Sequence, residues 1–192
     1  MVTVAPALPA VANDDLAIVL TGGGARGAYQ VGVLRWIARH YPATRIPILT
    51  GVSAGAVNVG HLAGHHGTFP QAVSELAGLW TQLTLENVFE LSPPSLAWTG
   101  ARWMARLLSG GLVRGPDVRA LLDTQPLREY LEEVYAAVDG NITGIEYNLR
   151  RGVLKAVAIS ATDYSTGESV IFVQGKGIVP WAHRRRRAVQ TR

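Results

Sequence analysis

The chain has 192 residues, 48% of them hydrophobic and 17% charged, enough to bury one substantial core and close to the usual size of a single domain. Its +4 formal charge comes largely from Arg184 to Arg187 and Arg192, so the high pI gives little support to a nucleic-acid partner, and none is expected. The absence of cysteine excludes disulfide frameworks, thiolate metal sites and cysteine nucleophiles.

Residues 1–15 are rich in Ala, Val and Pro, have neither a basic leader nor an apolar core of signal-peptide length, and read as a flexible tail. No run approaches ~20 uninterrupted apolar residues. The expected location is therefore cytoplasmic or peripheral to a membrane. Leu16 to Thr21 is a short apolar run ending in glycines, which predicts a buried strand feeding a tight turn. Ala28 to His40 carries Val31, Leu34, Trp36, Ile37 and Ala38 near helical spacing and is stopped by Pro42. Ile46 to Thr50 predicts a second strand, followed by Gly51-Val52-Ser53-Ala54-Gly55 and a small-residue helix to about Ala63. Strands alternating with helices favour a mainly parallel sheet covered on both faces.

Further along, helices are expected over Pro70 to Trp80, after a Thr68 cap, over Pro126 to Ala136, and over Asn141 to Arg151. Leu91 to Leu112 interleaves Trp98 and Trp103 with Arg102 and Arg106; it reads as an ordinary helix packed on the sheet, with an interfacial lid as the alternative. Leu154 to Thr162 and Ser169 to Gln174 predict a hairpin around Tyr164 to Gly167, and Arg184 to Arg187 a solvated run.

Gly22-Gly23-Gly24-Ala25-Arg26-Gly27 fits G-x-G-x-x-G between a strand and a helix, the context of a dinucleotide-binding turn. That reading wants an acidic residue about 20 positions later for the ribose. Here no Asp or Glu occurs between Asp15 and Glu75, which opposes NAD more than NADP. The P-loop reading fails, because Ala28 and Tyr29 stand where Lys and Ser/Thr are needed. Glycine amides at a helix start bind negative charge, either a phosphate or the oxyanion of a tetrahedral intermediate. Gly51-Val52-Ser53-Ala54-Gly55 chooses between these: it matches G-x-S-x-G, the nucleophile elbow, with Gly51 and Gly55 where a side chain would meet the crossing backbone. Ser53 is then the nucleophile, with Val52 and Ala54 flanking it in the elbow and the Ala54 amide beside the oxyanion.

These residues resemble the patatin-like phospholipases, lipid acyl hydrolases with a Ser-Asp dyad. The resemblance rests on Leu20 to Ala28 and Gly51 to Ala56, with weaker echoes at Gly32 to Leu34, Trp80, Asp123 to Leu127, Ala161 to Asp163 and Thr166-Gly167. It implies a three-layer α/β/α sandwich and a lipid ester substrate, with possible peripheral membrane contact. It also implies an oxyanion hole formed by Gly22, Gly23, Gly24, Ala25, Arg26 and Gly27 together with Ala54. The family carries its dyad Asp in a D-G-G or D-G-A motif after the late strands, and neither follows them here. Asp139-Gly140-Asn141 precedes the hairpin and reads as a turn and cap, and Asp163 reads as part of the hairpin. Residues 16–192 are thus expected to be the N-terminal part of such a domain, incomplete at its C-terminus and inactive alone.

No cofactor and no metal are expected; His61, His65 and His66 read as a helix end exposed to water. A Ser-His-Asp site using His183 and Asp163 is the catalytic rival, opposed by the early position of the elbow. A catalytically inactive, nucleotide- or anion-binding domain using the same glycine loop is the rival outside hydrolysis.

Overall fold

The computed structural model describes residues 16–84, 125–135, 137–138, 140–163, 166, 168–178, 182–183 and 186–190. The segment with Trp98 and Trp103, Asp123 and Asp139 lie outside them. The chain divides into two compact units, Met1–Gln82 with Tyr135–Arg192, and Leu83–Val134.

In the first unit, β1 (Ala17–Leu20) leads through a short 3-10 turn (Gly24–Arg26) into α1 (Gly27–His40). Then come β2 (Ile48–Val52), α2 (Ala54–Gly64) and α3 (Phe69–Gln82). In the second unit, α4 (Gln125–Val134) carries an i,i+4 ion pair, Arg128 Nε to Glu132 Oε1 at 2.9 Å. The first unit resumes with α5 (Thr143–Arg151), β3 (Ala156–Asp163), β4 (Glu168–Gly175), β5 (Ala182–His183) and β6 (Arg186–Gln190).

The sheet runs β1-β2-β3-β4-β6-β5. β1, β2 and β3 are parallel neighbours, with Leu20 opposite Gly51 and Val52 opposite Ser160. β3 and β4 form the expected antiparallel hairpin, in which Asp163 stands opposite Glu168. The α/β class and the mainly parallel sheet agree with the sequence-based expectation: β1 to β2 and β2 to β3 are crossover connections through helices, which parallel neighbours require.

Side chains alternate across the sheet. Ile18, Leu20, Leu49, Val157 and Ile159 share one face and pack with Val31 and Leu34 of α1, Val59 and Ala63 of α2, Val73 and Leu76 of α3, and Ile145 of α5. α2 lies on this face, and α3 and α5 pack against it. On the opposite face Val19 is 69% and Val52 42% exposed, so the helical layer of the described residues covers one side. Trp36, counted in the helical pattern of α1, is exposed and stacks on His40 at 4.1 Å.

The basic C-terminal run differs from expectation. Arg186 and Arg187 begin β6, which pairs in parallel with β4 from Ser169↔Arg186 to Val173↔Gln190. The free edge of β4 offers a ladder of amides and carbonyls that a strand of any side-chain type can join, and charged residues are tolerated there.

Candidate active site

β2 ends at Val52 and α2 begins at Ala54, so the whole change of direction falls on Ser53. Its φ of 54° and ψ of −128° make it the one positive-φ residue other than glycine among those described. Such a backbone costs on the order of 1–3 kcal/mol and persists when its surroundings enforce it. The enforcement is visible in two close approaches. A Cβ on Gly51 would stand 2.5 Å from the Gly55 carbonyl oxygen, and one on Gly55 would stand 2.2 Å from that of Leu20. The first turn of α2 is therefore seated on the end of β1, and the chain can reach it only by a sharp bend.

Serine at a helix start usually accepts an amide of the first turn on its hydroxyl oxygen. Ser53 does not: its carbonyl accepts the amides of Ala56 at 2.8 Å and Val57 at 3.2 Å, while its side chain makes no cap bond. The residue is exposed, and its hydroxyl has no hydrogen-bond partner among the described residues.

The glycine loop arrives at the same place because β1 and β2 are parallel neighbours whose C-terminal ends emerge together. The Cβ position of Gly22 is 3.1 Å from Ser53 Cβ and 3.7 Å from Ser53 Oγ. Beyond it, Gly24 has φ 56°, a left-handed conformation suited to glycine. Arg26 donates its amide to Gly23 O at 3.2 Å, and the Gly27 amide turns to Gly24 O and Ala25 O. The amides of Gly23 and Gly24, and that of Ala54 at the head of α2, make no such bond among the described residues. Both α1 and α2 thus direct their N-termini, the positive ends of their dipoles, toward one small region. Gly51, Val52, Ser53, Ala54 and Gly55 meet the loop from Gly22 to Gly27 there.

The histidines lie elsewhere. His61 is buried between α2 and α3 and donates Nε2–H to Ala72 O at 3.0 Å; burial, reinforced by His65 and opposed by the Ala72 bond and Glu75, holds its pKa below the ordinary 6.5. His65 pairs through Nε2 with Glu75 at 3.1 Å and accepts the Gly67 amide on Nδ1 at 2.9 Å. His66 lies against the Tyr147 ring. Only His66 matches the expected water-exposed helix end: His61 falls on the face of α2 that meets α3, where an imidazole supplies both bulk and a donor. No group of three potential metal ligands occurs among the described residues.

One part of this region is not apparent in the motifs. Asn58, on α2, is completely buried and joins α2 to Gln30, Gly27 and Trp80 by hydrogen bonds. The sequence signal was present in Ala54–Gly64: apart from His61, Asn58 is the only polar side chain in a helix of small and apolar residues, where a polar group needs partners.

An open α/β sheet, with a strained, exposed serine and a glycine turn at the C-terminal ends of adjacent parallel strands, defines the class of protein at hand. The chain belongs to the patatin-like phospholipases: the family model for the patatin-like phospholipase matches residues 18–173. The matched span contains both bends and the hairpin up to Val173. Membership places the chain among lipid acyl hydrolases. No curated protein shows a significant match. Among the described residues, no helix is long and apolar enough to cross a membrane.

Proposed function

We propose that the protein hydrolyses lipid acyl esters through Ser53. The observation that carries this reading is the exposed Ser53 hydroxyl, unused as a helix cap, held at φ 54° with its oxygen 3.7 Å from the Cβ position of Gly22. Ser53 Oγ attacks the ester carbonyl carbon, and the carbonyl oxygen becomes an oxyanion among the amides of the glycine loop and Ala54. Collapse of the tetrahedral species expels the alcohol and leaves an acyl-serine, which water then cleaves. The proton leaving Ser53 goes to a carboxylate and from it to the departing alkoxide.

By the family resemblance that carboxylate is a dyad Asp outside residues 1–192, so these residues by themselves are expected to be inactive. The substrate is a lipid ester met at a membrane surface. The stretch between Asp15 and Glu75, which holds both bends, has no acidic residue to oppose the developing oxyanion.

A fluorophosphonate probe should label Ser53 in the full-length protein, and Ser53→Ala should lose the label together with ester hydrolysis, by roughly 10³-fold or more. Labelling that survives the substitution refutes the assignment. The anion-binding alternative uses the same amides without the serine; it predicts that NADP, and not a lipid ester, raises the melting temperature of the parent and of Ser53→Ala alike.

A further inference from the structure

The glycine loop from Gly22 to Arg26 has little internal restraint: its residues are exposed or half-buried, and its backbone bonds, Arg26 amide to Gly23 O and Gly27 amide to Gly24 O and Ala25 O, leave the Gly23 and Gly24 amides unpaired among the described residues. Free glycine peptides sample many orientations, so something outside the loop must set the direction of its amides. Its two ends are held by one chain of side chains. Asn58 Nδ2 donates to Gly27 O at 3.1 Å and to Gln30 Oε1 at 3.1 Å, and Gln30 Nε2 donates to Thr21 O at 2.7 Å. Thr21 immediately precedes the loop and Gly27 closes it.

The orientation of this chain is determined by chemistry. An indole N–H can only donate. Trp80 Nε1 lies 2.7 Å from Asn58 Oδ1, so the carbonyl side of Asn58 faces Trp80 and its amide side faces the loop. Gln30 must then offer its oxygen to Asn58 and its nitrogen to Thr21 O. Each bond from Trp80 through Asn58 and Gln30 to Thr21 O then joins a donor to an acceptor, and reversing either amide would set like groups against each other. The Trp80 ring also occupies the space where a side chain at Gly27 would be, 2.6 Å from its Cβ position, which fixes the closing residue sterically. Because Asn58 stands on the helix that Ser53 begins, the loop and the serine are referenced to the same rigid element.

We infer that Asn58, acting through Gln30 and braced by Trp80, is a positioning residue that sets the glycine loop against Ser53. Its consequence for rate rests on the hydrolase reading, because displaced oxyanion donors impair the transition state more than substrate binding. Gln30→Glu keeps the acceptor for Asn58 and removes the donor to Thr21 O. Asn58→Asp keeps the acceptor for Trp80 and sets a carboxylate oxygen against Gly27 O and Gln30 Oε1.

In the full-length protein, both variants should speed amide hydrogen exchange in residues 22–27. On an ester substrate they should lower kcat by roughly 10- to 100-fold, with KM within about twofold. Gln30 lies partly at the surface, so Gln30→Glu should fold and melt near the parent even where Asn58→Asp does not. Loop exchange and kcat at parental values in Gln30→Glu would overturn the inference. A parent that neither takes up the fluorophosphonate nor cleaves esters would instead defeat the hydrolase reading, and the exchange measurement would still decide whether the loop is positioned in this way.

Discussion

Ser53 accepts the first helical amides on its carbonyl, as any residue at a helix start does, but keeps its hydroxyl out of the cap bond that serine ordinarily makes. Two flanking glycines make this possible, and they are not interchangeable with glycines elsewhere. In Gly55→Ala the new methyl would stand 2.2 Å from Leu20 O, a backbone atom that cannot swing aside. The expected loss is about 2–4 kcal/mol, seen as a lower urea midpoint. Gly32, inside α1, has open space at its Cβ position, so Gly32→Ala should add about 0.5–1 kcal/mol of stability, seen as a higher midpoint. The elbow motif marks Gly55 in the sequence as a position where a side chain would meet a crossing backbone; the structure identifies that backbone as Leu20 of β1 and leaves Gly32 open.

At the scale of elements, α3 matters because one end of it braces the glycine loop through Trp80. The other end is fixed by a reciprocal cap. Gln71 offers its amide to Thr68 Oγ1 at 3.4 Å, and Thr68 offers its amide to Gln71 Oε1 at 2.8 Å. This is a capping box, with Thr68 as the expected cap residue. Thr68→Ala should cost about 0.5–2 kcal/mol, and Gln71→Ala added to it should cost less than its separate effect, a shortfall that a double-mutant cycle in denaturant will report. The cap and the short apolar and β-rich runs were legible in the sequence because they depend on neighbours a few residues apart. β6 was not: its pairing comes from the exposed edge of β4, while its own arginines point to a solvated tail.

Across the whole molecule, the buried histidine between α2 and α3 links stability to pH. Burial lowers the pKa of His61 below 6.5, so the unfolded chain binds a proton more readily than the native one. Above about pH 6.5 the two states carry the same neutral imidazole and no stability is lost. As pH falls from there toward the native pKa, stability declines, by at most about 1.4 kcal/mol per unit for this one proton. Melting temperatures from pH 8 to 5 should show the decline, and His61→Gln, which retains a donor for Ala72 O, should flatten it. A parental slope in the variant would locate the linkage in another group.

The amino-acid sequence alone determined the order of strands and helices through β4, the two glycine bends and the serine within the second, because each depends on local periodicity and on residues that tolerate tight turns. Family membership was equally legible in those motifs. Tertiary structure alone decided that Gly22 lies against Ser53, that His61 is a core residue, that the C-terminal arginines begin a strand, and that Asn58 ties the loop to the helix of the serine. Those facts depend on which surfaces meet after long stretches of chain have folded back. Residues 28 to 31 positions apart become hydrogen-bond partners of one amide only when adjacent parallel strands bring their helices side by side.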